Sequence, residues 1–88
     1  MAIPRVHVEL LTGRHPKVRL VLRNDGRRPV HYTLTANDYA GGTRHRTVPG
    51  GKSAVVDWPT EQGYYDVVIT DGSGTGWTQR YAGRVATI

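Results

Sequence analysis

The chain contains no cysteine, no phenylalanine and a single methionine. Without cysteine there is neither a disulfide framework nor a thiolate metal site, so packing and hydrogen bonds must hold the 88 residues together. No apolar run approaches the ~18 residues of a membrane-spanning helix. The N-terminus lacks the apolar core of a signal peptide, so any export signal is expected to lie outside this chain. Helical spacing of apolar residues is absent from every window of helix length, which argues against helix altogether. Acidic residues are scarce as well: 12 Lys and Arg face 7 Asp and Glu, giving a net charge of +5.

A chain of this length buries roughly 60–65% of its unfolded surface, enough for one core and little for a walled substrate cleft. A single domain over residues 1–88 is therefore expected. Arginine supplies all the basic residues except Lys17 and Lys52. A basic balance favours anionic partners. The charges are spread along the chain, however, as solvated strand faces would require. Nucleic acid is not expected, because basic and aromatic residues are segregated here, whereas single-strand binders interleave them.

The dominant period is two. Val6, Val8 and Leu10 alternate with Arg5, His7 and Glu9; Val18, Leu20 and Leu22 alternate with Lys17, Arg19 and Arg23; Val30, Tyr32, Leu34 and Ala36 alternate with His31, Thr33 and Thr35. Such alternation marks strands with one buried and one wet face. Turn residues separate the runs at Asn24-Asp25-Gly26, Asp38–Gly42, Pro49-Gly50-Gly51, Pro59–Gly63 and Asp71–Gly76. The pattern predicts seven strands, at 5–10, 17–23, 30–36, 44–48, 53–58, 64–70 and 77–86. Their regular spacing predicts an all-β, seven-stranded antiparallel immunoglobulin-like β-sandwich.

One local pattern sharpens that expectation. Glu61, Gly63, Tyr65 and Val67 occupy alternate positions entering the sixth strand. In immunoglobulin-like sandwiches this spacing holds a corner tyrosine followed by a core position. Tyr65 would then send its hydroxyl back to the preceding loop, and Val67 would face Leu20 or Leu22 across the core. The alternative is that Tyr65 is simply an amphipathic core residue.

Residues able to do chemistry do not assemble into a recognisable site. His7, His15, His31 and His45 show no metal-ligand spacing, and the carboxylates fall largely in or beside turns, where Asp bonds the local backbone. Gly72-Ser-Gly-Thr-Gly76 is followed by neither lysine nor helix, so it is read as a hairpin link rather than a phosphate cradle. No catalytic residue, metal or cofactor is expected.

Aromatic and basic clusters remain as binding candidates. Trp58, Tyr64, Tyr65, Trp77 and Tyr81 crowd the later part of the chain. They form either a core shell or an exposed platform; Tyr39, Tyr64 and Trp77 are the ones that could be displayed. Arg27-Arg28 and Arg44 with Arg46 are the densest basic spots. They could grip phosphate oxygens or serve as charged guards on edge strands.

Taken together, Gly63-Tyr-Tyr-Asp-Val-Val-Ile-Thr70 and Gln79-Arg-Tyr-Ala-Gly-Arg-Val85, joined by the Gly-rich hairpin, resemble the C-terminal domain of bacterial phosphocholine-specific phospholipases C, enzymes related to acid phosphatases. Leu20-Val-Leu-Arg-Asn-Asp-Gly26 is similar to that family's early strand and Asn-x-Gly turn. The shared motifs, Gly83 among them, are structural. Tyr64 stands where the family often has Trp, and Ala86 where an acidic residue is usual. The resemblance implies an exported parent that cleaves phosphatidylcholine-type lipids at the phosphodiester, with its catalytic domain N-terminal to this one. None of the family's catalytic residues maps onto this chain. The resemblance thus implies an accessory module that stabilises or orients the catalytic domain or meets a phospholipid surface. The residues also allow a carbohydrate or cell-wall binder using Trp77 and Tyr64, or a plain structural spacer.

Overall fold

The structure, a computed structural model, describes residues 1–85 and shows no helix among them. The strands are β1 (Pro4–Leu11), β2 (Lys17–Asn24), β3 (Val30–Asp38), β4 (Thr43–Val48), β5 (Ser53–Pro59), β6 (Tyr64–Asp71) and β7 (Thr78–Arg84). Each expected segment is present and most run a residue or two longer than the alternation predicts. The expected end of the seventh, Ala86, lies outside the described residues.

All pairings are antiparallel and make two sheets, β1-β2-β5 and β4-β3-β6-β7. The expected β-sandwich is therefore the architecture observed. Its strand order departs from the constant immunoglobulin arrangement, in which the fourth strand joins the sheet of the first; here β4 pairs with β3.

Most inward positions are those of the period-two reading, but on the edge strand β1 Val6 and Val8 are only partly buried and Leu10, expected inside, is 50% exposed because no strand covers that edge. Val18, Leu20, Leu22, Val30, Leu34, Val56, Val67 and Ile69 are all buried, joined by Tyr32, Trp58 and Val85. Burying each aliphatic side chain contributes about 1.5–3 kcal/mol, and this shared layer does the work a disulfide would otherwise do. With phenylalanine absent, Trp58 is the largest buried side chain. Gly41 makes room for it: with φ at 145°, a Cβ there would lie 2.3 Å from Trp58 Cζ2. Arg44, at an inward position of the edge strand β4, closes the layer from the side, its guanidinium 5.3 Å from the Trp58 ring centroid.

The tyrosine that ties the sheets together is Tyr32, not Tyr65. From β3 its hydroxyl reaches the opposite sheet, accepting from Arg5 N at 2.9 Å on β1 and donating to Arg23 O on β2. Burial pushes the phenol up to about 12, against the partial relief of the Arg5 N–H. Tyr65 does not form the expected corner. Its ring lies over its register partner Gly83, where a Cβ would sit 3.0 Å from the Tyr65 hydroxyl. The preceding turn closes through backbone alone: Glu61 and Tyr64 exchange N–H···O bonds of 2.9 Å around Gln62 and Gly63, both at positive φ.

Asn24 organises the opposite end. Its side-chain amide donates to Arg28 O and Val48 O, and its Oδ1 accepts from Gly26 N and Ile3 N. Met1 O accepts from Arg27 N at 2.8 Å and Arg28 N at 3.3 Å, so residues 1–3 are fastened to the β2–β3 turn.

Candidate functional site

The sandwich separates the candidate residues. One end carries the β1–β2, β3–β4 and β5–β6 loops; the other carries the Met1–Ile3 arm and the β2–β3, β4–β5 and β6–β7 turns. Tyr39 and Tyr64 meet at the first end. Trp77 lies at the second, as do Arg27 and Arg28. Arg44 and Arg46 stand along the edge strand between them.

At the first end the pieces form a built cluster. A register shift between Ala36 and Asp38 ends regular pairing on β3. The next residue, Tyr39, takes a left-handed φ of 62°, and its N–H donates to Asp38 Oδ1 at 2.9 Å. A bulky residue in this region is costly, of order 1 kcal/mol or more. It places the Tyr39 ring 5.4 Å from that of Tyr64, the planes inclined by 24°. Antiparallel register sets Arg84 opposite Tyr64, and its guanidinium lies 5.3 Å from the Tyr64 ring centroid. Both rings remain exposed, Tyr39 at 43% and Tyr64 at 39%.

Beside this stack, Asp66 accepts from Arg80 Nη2 at 2.6 Å, Arg80 Nε at 2.8 Å and Asn37 Nδ2 at 3.0 Å. These three donors bring its carboxyl down to about 2, the Arg80 hydrogen bonds contributing most. Tyr39, Tyr64, Asp66, Arg80, Ala82 and Arg84 line an open groove of about 470 Å³. A second hollow of about 460 Å³ lies at the same end, among Arg14, His15, Lys17, Thr60 and Gln62.

The other candidates do not join the cluster. Trp77 is half-buried and meets Tyr32 edge to face, the centroids 5.8 Å apart and the planes at 83°. It stands at the far end of the β6–β7 hairpin from Tyr64. A single aromatic platform made of Trp77 and Tyr64 is thus ruled out by the length of the hairpin. Arg44 is occupied by Trp58 and donates to Asp57 O at 2.9 Å, and Arg46 donates to His45 O at 2.8 Å.

Two further carboxylates, Asp57 and Asp71, are tied into hydrogen bonds. Asp57 is held below its ordinary range by the Arg19 hydrogen bond first, then by the charges of Arg19 and Lys17. Burial would raise Asp71, but the Ser73 and Thr75 hydroxyls and the N–H groups of Ser73 and His31 outweigh it, and its pKa falls. A general acid at neutral pH needs the opposite displacement. Among the described residues no three His, Asp or Glu side chains gather closely enough to hold a metal ion.

A family model described as the C-terminal domain of bacterial phospholipase C matches residues 4–84. The chain belongs to this family. No curated protein and no solved structure matches it. The span that makes it a phospholipase C C-terminal domain takes in all seven strands, from Pro4 to Arg84, so the match is to the sandwich as a whole. The segments that carry the resemblance build its framework: Leu20–Gly26 supplies β2 and the Asn24 hub, Gly63–Thr70 supplies β6, and Gln79–Val85 supplies β7. The sequence reading missed Asp66, Arg80 and Arg84. A signal for them was present, since Tyr64 and Asp66 alternate with the inward Tyr65 and Val67, while Arg80, Ala82 and Arg84 share a period of two. Only the hairpin register shows that they meet.

Proposed function

We propose that this chain is the non-catalytic accessory domain of a secreted bacterial phospholipase C. In this reading a catalytic domain N-terminal on the same polypeptide hydrolyses phosphatidylcholine-type lipids at the phosphodiester. The sandwich stabilises or orients that domain, or brings it to lipid. The family match over residues 4–84 carries the reading. It is supported by the engagement of Asp57, Asp66 and Asp71 in hydrogen bonds that occupy their oxygens and keep them ionised, which leaves them unsuited to donate the proton a leaving group needs.

The test compares the parent enzyme with and without residues 1–88. The expected result is a lower thermal midpoint, a lower rate on phosphatidylcholine vesicles, or both. Equal stability and equal turnover would remove the proposal.

A second reading is favoured by the exposed Tyr39–Tyr64 stack, in which one saccharide ring of a cell-wall polymer rests against the groove. Retention of the chain on insoluble peptidoglycan, lost in Tyr39→Ala, would support it; retention unchanged by that substitution would dismiss it.

A further inference from the structure

The hollow between the β1–β2 loop and the β5–β6 turn is used by neither reading above. Its volume is about 460 Å³, and its lining differs in charge from that of the tyrosine groove. Arg14, His15 and Lys17 line it together with Thr60 and Gln62, and no carboxylate does. In the tyrosine groove, Asp38 and Asp66 offset Arg80 and Arg84.

The charge of this hollow is not cancelled from nearby. Arg14 and His15 are exposed, and among the described residues neither pairs with a carboxylate. Lys17 shares Asp57 with Arg19, so one acid meets two bases and a positive charge is left over. Other basic residues are differently placed. Arg5 and Arg23 pair with Asp25, Arg80 with Asp66, and Arg44 is held by Trp58 and Asp57 O. Arg27, Arg28 and Arg46 line neither hollow.

Both walls are braced by the fold. Gly13 leads out of β1 at φ 140°, a conformation that residues with side chains rarely adopt. Pro16 then restricts its own φ and the backbone of His15. Lys17 is the register partner of Pro59, and Thr60 Oγ1 donates to Pro16 O at 2.6 Å, which fastens one wall to the other. Gln62 and Gly63 stand at φ 53° and 85°, and Val85 N donates to Gly63 O at 2.8 Å. The N–H groups of Gln62 and Gly63 meet no acceptor among the described residues. A braced concavity lined by donors, with positive charge in excess, suits a small multivalent anion.

We propose that this hollow binds a phosphate monoester dianion. Such a group carries a charge of about −1.5 to −2 near neutral pH and three terminal oxygens. The Arg14 guanidinium is a fork for two of those oxygens. The Lys17 ammonium, the His15 ring N–H and the Gln62 amide are the donors for the third. A phosphodiester, with one charge and two terminal oxygens, leaves part of this set unmet. The proposal involves no catalytic domain, so it stands or falls apart from the accessory reading.

Two sources present the same group: free phosphate, and a lipid whose headgroup is a bare phosphate. The test has an arm for each. In the first, inorganic phosphate is titrated into the isotope-labelled 88-residue chain at constant ionic strength, with chloride as the balancing anion. Amide resonances in the Gly13–Lys17 and Thr60–Gly63 segments should move together, half-saturating at about 1–10 mM. Arg14→Gln should bind about tenfold more weakly, the loss of one charge-assisted bond. Its melting temperature should be unchanged, because this exposed side chain holds no other part of the fold. Gln62→Gly, which suits the positive φ and removes the amide, should bind several-fold more weakly. Arg28→Gln, an equal loss of charge at the opposite end, should bind as the unsubstituted chain does.

In the second arm the chain is sedimented with phosphatidylcholine vesicles containing about 20% phosphatidic acid or phosphatidylglycerol. Amide shifts with inorganic phosphate alone support the proposal and make the ligand soluble. Sedimentation with phosphatidic acid well above that with phosphatidylglycerol, lost in Arg14→Gln, supports it and makes the ligand a lipid headgroup. Failure of both arms would overturn it. Equal weakening by Arg28→Gln and Arg14→Gln would overturn it too, since the net charge of +5 would then be drawing anions without a site.

Discussion

The outward faces of the two sheets use the same kind of carboxylate to different ends. On the β1-β2-β5 face, Asp57 is shared between Arg19 at 3.1 Å and Lys17 at 3.5 Å, with both bases reaching it through open solvent. On the β4-β3-β6-β7 face, Asp66 is only 5% exposed, because Arg80 and Asn37 themselves cover it. Asp57 has more basic neighbours, yet Asp66 has more of its lone pairs taken in defined directions. The number of nearby charges is a poor guide to what an ion pair does, since water and salt dilute the exposed one. Directed donors that exclude water are the better guide.

The comparison presupposes one interior behind both faces, and the largest expected effect tests that. Trp58→Ala should cost about 3–5 kcal/mol. In urea, backbone circular dichroism and the fluorescence of the remaining Trp77 should be lost in a single transition. Two separated transitions would show that the sheets do not share a core.

Next in size is Tyr32→Phe, which leaves Arg5 N and Arg23 O without their partner between the sheets, at a cost of about 1–3 kcal/mol. The native phenol titrates near 12, above its ordinary value of 10.0. Its contribution is therefore complete below pH ~10 and is lost as pH rises toward 12. Alkaline melting curves should show a larger loss in the unsubstituted chain than in Tyr32→Phe, where the phenol of Tyr81, also raised by burial, still contributes.

The two faces are compared directly at acid pH. Both carboxylates are depressed, so each stabilises above the ordinary carboxylate range and ceases to do so as pH falls through its folded value. For Asp66 that window runs from pH ~4 down to about 2. Asp66→Asn should flatten the acid limb of a stability–pH curve more than Asp57→Asn does. The reverse order would invert the comparison.

The smallest effect is expected from Arg19→Gln on the exposed face, a change in melting temperature of about 3 °C or less that vanishes in high salt. A larger change that persists in salt would mean this face is as tightly organised as the other.

Local order was legible in the residues themselves. The alternation of Val18, Leu20 and Leu22, or of Val30, Tyr32 and Leu34, sorts wet from dry positions before any partner is known, because a strand turns successive side chains to opposite faces. Asn24-Asp25-Gly26 and Gln62-Gly63 mark reversals for equally local reasons. Partnership was not legible. Tyr32 and Tyr65 have the same alternation and the same aromatic body, yet Tyr32 bridges the sheets and Tyr65 lies on Gly83. Tyr64 and Trp77 looked like one candidate pair, yet Tyr64 meets Tyr39 and Trp77 meets Tyr32.

Composition and periodicity by themselves determined that this would be a helix-free chain of short strands around one apolar layer. The pairing of β4 with β3, the hairpin register that joins Asp66 to Arg80, and the hollow that gathers Arg14 and Lys17 with Thr60 and Gln62 were decided only in three dimensions. The physical reason is range. Side-chain alternation is set by neighbouring peptide units, whereas strand order and register are chosen by contacts between residues distant in the chain, which form only once the whole sandwich closes.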